Sequence, residues 1–348
     1  MKTNELSTAA KKSLVTRVIT GVVLGAVGIP CLVFGGWYFF FFTVLVAIIG
    51  AIEIVRASNL KGLIRVLIYF VTVVFTLGII YYTMFQNNIM NTTPAINGMS
   101  SPSFLSDTFH DIKLSIMLIT LMLCVYFLIS FAVEGFHIAY VFYFTTMILV
   151  ISIGIQSFLF LRYSPFYYFN EAWKDKYLPG FVYTDNNFRF GQSTFLAIYV
   201  ILGVIVNDIG AYFVGMLFGK HKMNERISPK KTWEGFIGGV VFSIVVSITF
   251  ALVCALTGRE ILPIFDLKHL YYVIILSILI PLISDVGDFV FSSVKRTFGV
   301  KDFSNLLPGH GGVLDRIDSL IFASALVSCL IIFINLVLKT TTVTNGLV

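Results

Sequence analysis

The chain has 348 residues, of which 57% are hydrophobic and only 12% charged, with a mean hydropathy of +0.92. A soluble domain carries about 25% charged residues, so a water-facing globular surface is excluded and most of this one must meet lipid or other helices. The net charge of +6 would suit a nucleic-acid binder, but in so apolar a chain it fits Lys and Arg kept on cytoplasmic loops, and no nucleic-acid partner is expected.

Nine apolar windows reach the roughly 20 residues that a hydrocarbon core demands. They lie at 18–35, 37–57, 63–85, 114–132, 136–161, 193–218, 236–257, 270–291 and 319–338. The sequence therefore predicts an all-α integral membrane protein, a polytopic helical bundle of about nine transmembrane helices. Lys11, Lys12 and Arg17 ahead of the first window imitate a signal peptide, but no small-residue cleavage site stands out and further spans follow, so this stretch reads as a first anchor. Residues 1–192 form the N-terminal helices, with a polar loop at 86–112. Residues 193–338 carry two basic loops and the chemistry, and 339–348 form a short tail. No internal repeat of the transporter kind is visible. Cys31, Cys124, Cys254 and Cys329 each sit in an apolar run without CxxC pairing and read as small hydrophobic residues. With the N-terminus in the cytoplasm, about two thirds of the 24 Lys and Arg fall on the cytoplasmic side. The expectation is a multi-pass protein of the cell's inner membrane.

Ionisable groups inside a span are expensive and mark function by default. Asp208 precedes Lys220 in one apolar helix, and Asp285 and Asp288 precede Lys295 in another. At 1.5 Å per residue these acids lie roughly 10–18 Å below the basic collars. Asp285 and Asp288, spaced i,i+3, share a helix face. The competing account makes each acid one half of a structural ion pair, yet no Lys or Arg lies within these runs. Glu53 and Glu134, nearer span ends, read as structural.

Two loops follow the acids. The first holds Gly219-Lys220-His221-Lys222 and Ser228-Pro229-Lys230-Lys231-Thr232-Trp233-Glu234-Gly235. The second holds Ser292, Lys295, Arg296, Lys301, Asp302, a Pro308-Gly309-His310-Gly311-Gly312 turn, and Asp315-Arg316-Ile317-Asp318. Positive-inside bias accounts for the bases but not for the interleaved acids or the glycine turn. Acids with Lys, Arg and glycine turns suit nucleoside triphosphate chemistry: carboxylates hold Mg²⁺, and cations absorb charge on the reacting and departing phosphates. No Walker A motif is present. The small residues Gly203, Ala211, Gly215 and Gly219, with Gly235, Gly238 and Gly239, read as close helix packing rather than as a phosphate cradle. Trp233 reads as an interfacial anchor in preference to a base-stacking group.

The run Ser292, Val294-Lys295-Arg296, Lys301-Asp302, Ser304, Leu307-Pro308, His310-Gly311-Gly312-Val313, Asp315-Arg316-Ile317-Asp318 resembles the complete signature of the phosphatidate cytidylyltransferases. Asn207-Asp208, Gly210-Ala211-Tyr212, Phe218-Gly219-Lys220 and Ser228–Gly235 are similar to that family too, and the likeness covers about residues 193–338. The resemblance implies CTP and phosphatidic acid as substrates, CDP-diacylglycerol and pyrophosphate as products, and Mg²⁺ as cofactor, with a second, monovalent cation left open. It implies Asp288 and Asp315 as leading metal ligands, Asp285 close behind, and Asp208 as a metal or outer ligand. Lys295, Arg296 and Lys301 would neutralise phosphates. Asp302, Arg316 and Asp318 would complete the catalytic set, with His310 donating to a phosphate oxygen or holding its turn. Lys220, Ser228, Lys230, Lys231 and Ser292 would form the substrate-binding wall. A CTP-dependent lipid kinase, of polyprenol type, is the alternative enzyme, and a secondary transporter is the alternative of another class. The sequence leaves the oligomeric state open, a homodimer included.

Overall fold

The computed structural model describes residues 8–86, 112–163, 192–257, 261–262 and 270–345. The expected polar loop at 86–112 falls outside them except at its two ends, as does most of the 162–192 connection.

Nine helices are present among the described residues: α1 (Thr8–Phe34), α2 (Gly36–Ala57), α3 (Gly62–Gln86), α4 (Ile112–Ala132), α5 (Ile138–Tyr163), α6 (Gln192–Phe218), α7 (Trp233–Leu256), α8 (Leu270–Thr297) and α9 (Leu314–Asn345). Each covers one of the nine apolar windows. Among the described residues, seven contain stretches long and apolar enough to cross a membrane, while the apolar parts of α1 (Val18–Phe34) and α4 (Ile116–Ala132) are shorter. The protein is a polytopic helical membrane protein. One element departs from the all-α expectation, an antiparallel hairpin of β1 (Lys222–Asn224) and β2 (Ser228–Thr232) between α6 and α7.

The N-terminal half has an aromatic interior. Tyr126 stacks on Phe136 and Phe144 with ring centroids 6.2 and 5.7 Å away, and its hydroxyl shares a 2.8 Å hydrogen bond with Thr72. Burying the phenol would be costly without that partner. In the C-terminal half, α6 packs most closely against α7. A Cβ on Gly239 would lie 2.6 Å from the Asn207 carbonyl oxygen, one on Gly235 2.8 Å from that of Ala211, and one on Gly238 2.5 Å from Val214 Cβ. With no hydrophobic drive between helices in lipid, backbone approach of this kind supplies the packing. The glycines of the first motif region are thus a helix seam, as their spacing predicts. The seam fixes the distance between the Asn207–Asp208 segment and the hairpin that leads into α7.

The helix ends sort into two faces. At one, Thr20 of α1 donates to the Pro308 carbonyl at 2.9 Å, Asn59 beyond α2 donates to the Phe298 carbonyl at 3.4 Å, and Arg296 at the end of α8 reaches the Ile227 carbonyl of the hairpin at 3.3 Å. At the other, buried Arg162 at the end of α5 donates to the last carbonyls of α1, Leu32 and Val33, at 2.7 and 3.2 Å. Both basic loops therefore share one face.

Replacing Gly239 by Val is expected to lower the thermal midpoint of the detergent-solubilised protein, since overpacking a filled contact costs about 1–3 kcal/mol. Gly78→Ala, where nothing lies within 4 Å of the added carbon, should be neutral or slightly stabilising. Thermal unfolding of the two variants beside the parent protein measures the difference.

Candidate active site

The first loop is organised by short-range polar contacts. Asn224 Oδ1 accepts the Arg226 and Ile227 amides, both at 3.1 Å, which turns the hairpin. Thr232 caps α7, its hydroxyl accepting the Gly235 amide at 3.2 Å. Glu234 in the first turn accepts the Lys220 and His221 amides and pairs with His221 Nδ1 at 2.6 Å, closing the hairpin's base. The Trp233 ring, half exposed at the start of α7, meets Phe236 edge to face.

These contacts aim Lys231 at α8. Its Nζ lies 2.7 Å from Asp285 Oδ1 and 2.7 Å from Asp288 Oδ2, and 4.7 Å from the Phe289 ring centroid. Burial draws the Lys231 pKa down, but the Asp288 and Asp285 charges outweigh it and hold the ammonium above its usual value. Asn207 of α6 donates to the other Asp285 oxygen at 2.9 Å, and Ser292 donates to Asp288 Oδ1 at 3.2 Å. The i,i+3 pair thus faces one cation, and that cation comes from the hairpin rather than from any span. Asp208, on the exposed side of α6, makes no side-chain hydrogen bond or ion pair among the described residues, yet feels the charges of Asp288, Lys231, Asp285 and Arg316.

The second loop leaves α8 through Gly299, with Gly299 N–H donating to the Arg296 carbonyl and Val300 N–H to that of Lys295, both at 3.0 Å. Leu307 and Gly311 then pair across a tight turn in which Gly309 and Gly311 hold positive φ, as the glycine pattern predicts. Asp315, expected as a metal ligand, faces inward into this loop. Its Oδ1 pairs with Lys295 at 2.7 Å, and its Oδ2 accepts the Phe303 and Gly312 amides at 2.9 Å each. Both oxygens are engaged, and the pair is nearly closed to solvent. Lys295, expected at a phosphate, is its counter-ion.

The remaining candidates divide. Arg296 holds carbonyls of Ile227 and Val300, and Arg316 clasps the His310 carbonyl through Nε and a terminal nitrogen at 2.9 and 2.6 Å. Asp318 is buried beside Gly287 of α8. His310 Nδ1 is buried without a partner among the described residues. Ser228 opens β2 across from Asn224. Lys220, Lys230, Lys301 and Asp302 are exposed, with side chains that make no hydrogen bond or ion pair among the described residues. These side chains are free to meet a ligand. Two further residues make contacts that sequence reading did not single out. Asn207 was visible only as a motif neighbour of Asp208. Glu53, set aside as structural, is buried with its oxygens on Ser304, Val313 and Leu314 of the second loop; its signal was a lone acid in an apolar window.

The donor set fits Mg²⁺. Asp285 and Asp288 already direct one oxygen each at a single cationic point, and Mg²⁺ usually takes one or two carboxylates and completes its shell with water and substrate phosphate. No group of three or more His, Cys, Asp or Glu converges among the described residues.

A sequence model described as the cytidylyltransferase family matches residues 15–334. A Staphylococcus haemolyticus protein named phosphatidate cytidylyltransferase is 42% identical over 135 residues, 39% of this chain and 48% of its own. One from Haemophilus influenzae is 44% identical over 131 residues, 37% and 43% of the two chains. One from Mycobacterium tuberculosis is 42% identical over 123 residues, 35% and 34%. The chain thus spans about half or less of the length of these curated relatives.

Lys295 in the last turn of α8 and Lys301 in the second loop should separate in stability. Lys295→Met strands the buried Asp315 carboxylate and is expected to cost about 3–5 kcal/mol. Lys301→Ala removes an exposed, unpartnered side chain and should leave the unfolding midpoint unchanged. Thermal unfolding in detergent distinguishes them.

Proposed function

Because the chain belongs to the cytidylyltransferase family, we propose that it transfers CMP from CTP to phosphatidic acid, giving CDP-diacylglycerol and pyrophosphate, in the cell's inner membrane with the site facing the cytoplasm. The single observation that carries the reading is the Asp285–Asp288 pair converging on one cationic point beside free lysines. The family's nucleotide, the relatives' names and the lipid setting point to the same substrates.

The lipid phosphate is already an anionic nucleophile, so no strong general base is required. One of its oxygens bonds to the α-phosphorus of CTP as the bond from that phosphorus to the pyrophosphate oxygen breaks. Mg²⁺, when bound, supplies charge neutralisation at the phosphate oxygens. Asp285 and Asp288 would hold it, with Asp208 as the outer acid. Lys231, displaced from the pair or shared with it, lies where it can meet a phosphate. Lys301 and Lys230, on opposite loops, are exposed cations without a side-chain partner among the described residues, as is Lys220, and would orient the triphosphate and the lipid headgroup. Asp315, Lys295, Arg296 and Arg316 would keep the loops in register.

Purified protein with CTP, phosphatidic acid and Mg²⁺ is expected to form CDP-diacylglycerol and release pyrophosphate. Release of CDP in its place would make the protein a CTP-dependent lipid kinase. Asp288→Asn and Asp285→Asn should each lower turnover by orders of magnitude, since metal-centred charge stabilisation supplies several kcal/mol. Activity above about a tenth of the parent's in both would overturn their role. For the orientation, cysteines placed near Lys230 and Lys301 should resist an impermeant thiol reagent in intact cells and react in inside-out vesicles. A cysteine near Asn97 should do the reverse. Labelling near Lys230 from outside would invert the topology.

A further inference from the structure

Glu53 lies near the end of α2, far in sequence from either motif loop, and only 2% of its surface is exposed. A carboxylate so placed in an apolar helix is costly unless fully bonded. Its Oε1 accepts the Ser304 hydroxyl at 2.6 Å and the Val313 amide at 2.8 Å, and its Oε2 accepts the Leu314 amide at 2.7 Å. Val313 and Leu314 are the entry to α9, so the carboxylate lies on the positive end of that helix and caps it from another helix. The fit leaves no slack. A Cβ on Gly312 would lie 2.7 Å from Glu53 Oε1.

Amides at a helix start are ready-made phosphate ligands, and this start lies within the signature loop. Here they are taken. Glu53 holds the Val313 and Leu314 amides, and Asp315 holds those of Gly312 and Phe303. Two protein carboxylates thus occupy these four amides, which are closed to a phosphate while they do so.

We infer that Glu53 is a positioning residue for the transferase site: it fixes the start of α9 and the Ser304–Leu314 loop, and with them Arg316, in the geometry the reaction needs. This role rests on the cytidylyl-transfer reading for its kinetic consequence, though not for its structural one. A residue acting in this way should affect the transition state more than substrate binding.

The test is Glu53→Gln in the full-length protein in detergent, read by steady-state kinetics with CTP varied and by hydrogen exchange. Gln keeps the volume but turns one acceptor into a donor against amide donors. The expected result is a kcat lower by about tenfold or more with the KM for CTP within about threefold. Exchange should speed up in the peptide covering 303–318, and not in α6 or α7. Ser304→Ala, which removes one donor and leaves the carboxylate in place, should give a smaller change of the same kind, and the two changes should be non-additive in the double variant. If Glu53→Gln does not fold, the Ser304→Ala kinetics and exchange decide alone. Parent-like kcat and exchange in the folded variants, or a rise in KM with kcat unchanged, would overturn the inference. If the parent protein makes no CDP-diacylglycerol, the functional reading fails, while the exchange result still decides whether Glu53 holds the loop.

Discussion

Aspartates set inside helices that cross hydrocarbon need compensation from somewhere, and the C-terminal half of this protein is arranged around where that compensation comes from. The apolar stretches of α6 and α8 offer no lysine or arginine, so the counter-charge for Asp285 and Asp288 has to be delivered from outside the spans. Lys231 delivers it, because the α6–α7 connection folds back as a hairpin instead of running straight. The hairpin in turn is held by Glu234 at its base, by the Thr232 cap, and by Arg296 from the end of α8. The closeness of α6 and α7, set by glycines meeting backbone carbonyls, lets Asn207 and the hairpin approach α8 from one side. Loss of Lys231 would leave Asp285, nearly closed to solvent, without its counter-charge, and an uncompensated buried charge is far more costly than an unmade contact.

A second pattern runs from the end of α8 to the start of α9. The charged residues at the two helix ends bind the protein itself, whereas Lys301 and Asp302 between them are exposed without a side-chain partner among the described residues. Asp315 and Lys295 neutralise each other, Arg316 holds a carbonyl, and Asp315 accepts two amides. A dense run of charged residues thus contains two populations, one that builds the loop and one that remains available. Only exposure and partnership separate them. Lys230 and Lys301 belong to the second population, while Lys295 and Arg296 belong to the first.

What could be read from the sequence was whatever depends on local pattern. The apolar windows located every described helix, because hydrophobic length alone determines a span. The glycine spacing in α6 and at the start of α7 predicted a packing seam, and the Pro308–Gly312 run predicted a turn with positive φ. The i,i+3 spacing of Asp285 and Asp288 placed them on one face. What could not be read depends on contacts between distant segments. Nothing in the Lys222–Thr232 run alternates in hydrophobicity, so the hairpin left no periodic trace. The direction in which Asp315 faces is set by where Lys295 and two amides lie after folding. Glu53 gave only the weak signal of an acid near a span end, since its partners lie more than two hundred positions away. The metal-ligand set was drawn from resemblance and chemistry.

The bond from α2 to the start of α9 also bears on modularity. The loops that carry the signature lie in the C-terminal half, and it is tempting to regard that half as a portable catalytic cassette to which the first helices merely add hydrophobic bulk. Yet one wall of that cassette is a carboxylate supplied by the other half. A chain cut between α5 and α6, or a chimera joining these last helices to a foreign N-terminal bundle, would inherit Gly312 and its narrow clearance without the acid that fills it. A change at Glu53 would have to be answered by a matching one in the loop, and Thr20 and Asn59 tie the first helices to the same region.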